Sequence, residues 1–213
     1  MAKLVEGVLG GFRGKVGTVV GNIWKGIATM RVHVKSISNP QTAAQLEQRA
    51  KFSVMIQFLK PLTDFVRTTF KHFAIKQTSF NAAMSYNVTH AITGVYPVYE
   101  VDYSKVLVSM GSLPPVLNPE VTSTTAGEVK YTWEDNTGGP YAKATDKAAI
   151  CVYNPVKGYA TDLIGGNTRT GGSQSITLPA NWSGDEVQCF IAFSNQNGSV
   201  YSNSAYVGGI IVL

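Results

Sequence analysis

The chain has 213 residues, 44% of them hydrophobic and 15% charged, with a formal net charge of +5; this excludes a disordered charged tail and leaves room for one large domain or two small ones. The charge is split, because residues 1–113 carry thirteen Lys and Arg against five acids (net +8) and residues 114–213 carry five against eight (net −3). No run of about 20 apolar residues is present, and Glu6, Gly7, Gly10 and Gly11 interrupt the first stretch, so neither membrane insertion nor a cleaved secretory signal is expected and synthesis in the cytoplasm is.

In chain order, Val16–Val20 reads as one strand and Ile27–Val34 as another, with Gly21-Asn22 and Lys25-Gly26 supplying turn chemistry. In the second strand Ile27, Thr29, Arg31 and His33 alternate with Ala28, Met30, Val32 and Val34, so one face is apolar and the other largely polar and basic. Ser38-Asn39-Pro40 places a capping residue before a proline at a first helical position. From Thr42, residues Ala43, Leu46, Ala50, Val54, Phe58 and Leu62 recur mostly at spacings of three and four, with Gln45, Glu47, Gln48, Arg49, Lys51 and Lys60 on the polar side. Pro61 divides this helix from a second over 62–73, and a third begins near Thr78-Ser79 and runs to about His90, with Gly94 and Pro97 beyond it. Alternation resumes over Tyr96–Tyr103, and 105–112 reads as a further strand. The first half is therefore expected to be an α+β module of hairpins and two or three helices over 1–113.

Pro114-Pro115 reads as an extended linker and the domain boundary. Beyond it, strands are expected over 120–123, 128–134, 148–153, 159–163, 173–178, 186–193 and 200–207, with Asn197-Gly198 as a hairpin turn. Seven short strands over 114–213 point to an all-β sandwich. Cys151 and Cys189 have no Cys or His neighbours at metal-ligand spacing and read as two free, buried thiols; a disulfide would need their strands to be adjacent.

The second half resembles a fibronectin type III or immunoglobulin-like domain, through Trp133 in VKYTW, Leu178-Pro179 before the penultimate strand and the late YSNSAYVG. It departs from the fibronectin pattern at DEVQCF, where no tyrosine marks the usual corner. The first half resembles a domain family of unknown function common in Bacteroidetes bacteria and their phages, through GFRGKVGTVVGNIWKG (11–26) and SNPQTAAQLEQRAKF (38–52); YSKVLVSMGSLPP (103–115) also fits, so the resemblance spans most of the chain. The resemblance places the chain without implying a mechanism.

Catalytic patterns are missing from the sequence. GFRGKVG fails the phosphate-loop pattern, since Leu9 stands where its first glycine should and Val16 where Ser or Thr should follow the lysine. His33, His72 and His90 are scattered, no G-x-S-x-G occurs, and Glu134-Asp135 reads as a surface turn. No enzyme, cofactor or metal is expected. Arg13, Lys15, Trp24, Lys25, Arg31 and Lys35 gather on or near one hairpin, where cations beside aromatics could contact phosphates and bases, or a neighbouring protein. Three roles follow as expectations: a structural protein in a virion or multi-copy assembly, self-associating or binding other structural proteins; a nucleic-acid binder using the hairpin; or a glycan binder using Tyr141, Tyr159 and Trp182.

Overall fold

The computed structural model describes residues 2–3, 11–36, 39, 41–139 and 141–213. These described residues contain three α-helices and are otherwise mostly β, with four sheets.

The first sheet holds strands β1 (Ala2–Lys3), β2 (Gly14–Val16), β3 (Val19–Trp24) and β4 (Ile27–Val32) in the antiparallel order β1-β4-β3-β2. Gly17-Thr18 turns the chain inside the stretch expected to be one strand. Gly21-Asn22, expected to be a turn, lies within β3. The Lys25-Gly26 expectation holds: both residues have positive φ, 47° and 78°, as a tight two-residue hairpin turn requires. Strand β4 stops at Val32, short of Val34.

Helix α1 spans Ala43–Leu59, α2 Thr63–Thr69 and α3 Ser79–His90. Of the expected cap, Ser38 and Pro40 lie outside the described residues; α1 is capped by Thr42, whose hydroxyl accepts from Gln45 N at 3.4 Å. Thr78 caps α3 in the same way at 3.1 Å. The apolar stripe of α1 also differs from expectation. Met55, Phe58 and Leu59 are buried, whereas Leu46, Ala50 and Val54 are half-buried and Ala43 is exposed.

The second hairpin pairs β5 (Ile92–Val95) with β6 (Val98–Val101). Residues 105–112 are not a strand; Lys105 ends a 3-10 turn, and 106–112 run as an extended segment stitched to both sides of the molecule. Asn87 is buried in α3 and holds this segment at Leu107, its amide donating to the carbonyl at 2.8 Å and its carbonyl oxygen accepting from Leu107 N at 2.9 Å. Thr69 donates to Val108 O at 2.7 Å. On the other side Val108 N donates to Ser204 Oγ at 3.0 Å, and Ser109 Oγ to Ser202 O at 2.8 Å. Gly111 lies against Tyr201 so closely that an added Cβ would stand 1.8 Å from the Tyr201 carbonyl oxygen. These bonds satisfy polar groups that would be costly to bury alone.

The remaining strands are β7 (Leu117–Thr122), β8 (Glu128–Glu134), β9 (Lys147–Asn154), β10 (Tyr159–Thr168), β11 (Ser173–Thr177), β12 (Glu186–Ser194) and β13 (Ala205–Ile211). They form a four-stranded sheet, β10-β9-β12-β13, and a three-stranded one, β11-β8-β7. Residues 200–204, expected to open the last strand, are instead the loop that meets the 106–113 segment. The two sheets enclose a core of Val129, Tyr131, Trp133, Ile150, Val152, Cys189, Ile191 and Phe193, among others.

The other face of the four-stranded sheet is buried too. Ala149, Cys151, Tyr153 and Phe190 join Phe58, Leu62, Phe65, Phe70 and Met84 of the helical part in one cluster. Phe58 meets the Tyr153 ring edge-on at 4.9 Å between centroids. The helices, the four-stranded sheet and the three-stranded sheet thus form three layers, and the hydrophobic core crosses residue 113.

The cysteines follow from this layering. Cys151 pairs with Phe190 and Cys189 with Val152 on adjacent strands. Cys151 nevertheless belongs to the helix-facing cluster and Cys189 to the inter-sheet core, and both thiols are free. Period-two alternation sends the two sulfurs to opposite faces.

Pro114 and Pro115 do not behave as a free linker. Arg169 is fully buried, and its Nη2 donates to Pro114 O at 3.1 Å and its Nη1 to Pro115 O at 3.4 Å. The same guanidinium pairs with buried Asp146 at 3.2 Å, donates to Asn136 Oδ1 at 2.6 Å and stacks 3.9 Å from the Phe193 ring centroid.

Candidate functional site

Two surfaces of the first half stand out. The first is the small sheet expected to carry the basic residues. Lys15 of β2 pairs with Val20 of β3, and Val20 pairs with Arg31 of β4. Paired residues share a face, so the two cations flank Val20 in a row across three strands. The pairs Asn22–Thr29 and Trp24–Ile27 continue that face, and Trp24 is 47% exposed. The Lys25 ammonium lies 5.6 Å from the Trp24 ring and donates to the Gln77 carbonyl, tying the hairpin tip to the helical part. Arg13 donates to Ile23 O at 3.4 Å. Lys35 lies in a bend beyond the end of β4 and outside the row. The register therefore brings Lys15, Arg31 and Trp24 to one face, while Arg13 and Lys25 hold backbone.

The second surface was not legible in the expected stripe of α1. Phe52 and Ile56 are exposed on that helix, beside half-buried Phe80 and Val88 of α3. Two adjoining open clefts of about 570 and 550 Å³ share Gln48, Phe52 and Ile56 as walls. The rim is polar and carries one charged side chain, Arg49. A spacing of four between Phe52 and Ile56 was the available signal, since that pair forms a second stripe beside the buried one.

The other flank of α1 is closed by β6. Tyr99 is buried there, with the Lys51 ammonium 5.1 Å from its ring and Lys51 paired to Glu47 at 2.7 Å. The hydrogen bond from Lys51 holds the Glu47 carboxyl below its usual range and lifts the Lys51 ammonium, and desolvation raises the Tyr99 phenol.

Among the expected glycan contacts, Trp182 is a correction: it is 2% exposed, because the 3-10 turn Ala180–Trp182 sets its ring in the inter-sheet core with Val187 and Val212. Tyr141 and Tyr159 are exposed. Among the described residues no group of three or more His, Cys, Asp or Glu could hold a metal ion, and no helix is long and apolar enough to cross a membrane.

A family model described as a family of unknown function, DUF6266, matches residues 11–208. The chain belongs to DUF6266. No match to DUF6266's present member was found among curated proteins. Among solved structures this DUF6266 chain is similar to the fn3 domain of human collagen alpha-1(XX) chain, at 13% identity over 49% of this chain and 90% of that one, with a TM-score of 0.33.

Proposed function

We propose that this chain is a non-enzymatic structural protein that works in a multi-copy assembly, such as a virion, through contacts with copies of itself or with other structural proteins. In this reading the helical half with its hairpins makes the assembly contacts, and the facing sheets form an outward module of immunoglobulin or fibronectin III type. The observation that carries the reading is the uncovered apolar surface of the first half: Phe52 and Ile56 on α1, and Val95 and Val98 on the β5–β6 hairpin, stand exposed in a region otherwise rich in lysine and arginine. Exposed apolar patches rimmed by polar groups mark surfaces that suit protein contacts. Light scattering after size exclusion, over a concentration series at low and high salt, tests it. Oligomers are expected, and a strict monomer at every concentration overturns it.

A second reading is favoured by one observation, the Lys15–Val20–Arg31 row beside Trp24. Cations that neutralise phosphates next to a ring that stacks on bases are the parts of a single-strand binding face. A fluorescence titration with a labelled oligonucleotide at low salt tests it. Binding that weakens steeply with salt and is lost in Lys15→Ala with Arg31→Ala supports this reading, and no binding at low salt removes it.

A further inference from the structure

The β5–β6 hairpin is a two-stranded ribbon with unusual chemistry on its outer face. Pairing sets Val95 opposite Val98 and Thr93 opposite Glu100, so these four side chains share one face. All four are exposed, Val95 at 80% and Val98 at 64%. Tyr96 and Pro97 at the tip are exposed as well. The inner face is anchored, since Tyr99 is buried against α1 and Ile92 and Val101 pack on the helical core. A ribbon with one face on the core normally turns a polar face to water. This one turns out two valines and a tyrosine, bordered by an acid.

The α1–α3 groove has the opposite shape and the opposite charge. Its floor is Phe52, Ile56, Phe80 and Val88, and its one charged wall residue is Arg49. Arg49 donates to Asn39, and neither Arg49 nor Glu100 has an ion-pair partner among the described residues. Within one copy the ribbon is held on the Glu47 and Lys51 flank of α1, whereas the groove opens on the Phe52 and Ile56 flank. The ribbon therefore cannot reach its own groove.

We propose that the outer face of the β5–β6 ribbon of one copy seats in the α1–α3 groove of a second copy, with Glu100 set against Arg49. The inference rests on the assembly reading above and names its contact. Val95 and Val98 cover Phe52 and Ile56, removing from water side chains that otherwise face it, and the Arg49–Glu100 pair fixes register more than strength. Because the two patches differ, the contact is head-to-tail. Each bound pair keeps one free ribbon and one free groove, so growth closes into a ring or continues as a filament.

Sedimentation velocity on the full chain tests this with two variants, one groove-blocked (Phe52→Asp with Ile56→Asp) and one ribbon-blocked (Val95→Asp with Val98→Asp). All four positions are exposed, and circular dichroism checks that the fold is retained. Wild type is expected to assemble and each variant alone to lose association by at least about 100-fold, the cost of placing charge in an apolar contact. An equimolar mixture of the two variants is expected to give a capped heterodimer, since one supplies a ribbon and the other a groove. Should either variant misfold, Arg49→Glu and Glu100→Arg carry the test: each alone weakens assembly by about two- to five-fold, as a rim ion pair does, and the two together restore it. A monomeric wild type overturns the assembly reading and this inference together. Assembly that persists in both blocked variants, or with no double-swap recovery, overturns this contact and leaves the assembly reading standing. Monomeric variants that fail to complement each other overturn the head-to-tail geometry.

Discussion

Replacing Arg169 with methionine removes the clamp on the chain junction and leaves its surroundings dry. Asp146 is 1% exposed and would keep a carboxylate with no cation beside it. The carbonyls of Pro114 and Pro115 and the Asn136 side-chain oxygen would each lose a charged donor. Breaking a buried pair from one side costs about 3–5 kcal/mol, and the methionine stem retains much of the packing on Phe193, so a loss of about 4 kcal/mol is expected. For a chain of this length that corresponds to a fall in Tm of roughly 8–16 °C. Adding Asp146→Asn removes the stranded charge while leaving an oxygen to accept from Lys143 N, and is expected to recover about half of the loss through coupling between the two sites. Urea denaturation of the wild type, both single variants and the double variant measures this. A loss below about 1 kcal/mol in Arg169→Met, or a double variant no more stable than Arg169→Met, would refute the clamp as the source of the effect.

Gly111→Ala is expected to destabilise the chain by at least about 2 kcal/mol, because the new methyl meets the Tyr201 backbone, which cannot swing away; a melting curve unchanged from wild type would contradict the close approach. Cys151 and Cys189 are expected to resist a disulfide-exchange reagent at pH 8 until denaturant is added, since burial pushes the Cys189 thiol up to about 11 and the Cys151 thiol upward as well. Rapid native-state labelling would count against their burial, and an intramolecular disulfide on oxidation against their placement on opposite faces. Burial also raises the Tyr103 phenol to about 12 and Tyr131 well above its usual value. Because both folded-state values lie above the unfolded one near 10, the stability they contribute is complete below about pH 10 and is lost at higher pH, for Tyr103 as pH rises through about 12. Absorbance at alkaline pH should show these rings ionising late and with unfolding; a smooth non-cooperative titration near pH 10 would refute it.

Much of the local structure could be read from the sequence. The Lys25-Gly26 turn, the break after α1 at Pro61, the Thr78 start of α3 and the whole of β8 fall where periodicity and turn chemistry put them. Strand β8 was the easiest, because EVKYTWE alternates cleanly between one dry and one wet face. Strands β9 and β12 held a further message in plain view. AICVY and CFIAF do not alternate, which is the pattern of strands buried on both faces, and the second cover is the helical layer. Residues 105–112 have the pattern of a strand, yet the hydrogen bonds of this segment go to side chains of Asn87, Thr69 and Ser204 far away in sequence. Arg169 gave no local sign of its role, since a lone arginine between Thr168 and Thr170 looks like a solvated turn and only the fold supplies Asp146. On the candidate surfaces, the basic row follows from alternation in β4, whereas Phe52 and Ile56 form a second i,i+4 stripe beside the buried one, and only the fold decides which stripe is covered.

The central sheet has a consequence for how substitutions accumulate in this chain. On an ordinary two-sheet fold, every second residue of a strand is free to vary towards solvent. Here β9 offers no such positions between Ala148 and Asn154, and β12 none between Val187 and Ser194. A change at Tyr153 or Phe190 disturbs the helices, and a change at its neighbour Val152 or Cys189 disturbs the opposite sheet. The helices and the outer sheet therefore cannot drift, be exchanged or be excised independently, because they share one wall. The proline pair that divides the two charge regions divides the surface of the molecule, while its interior is held in common.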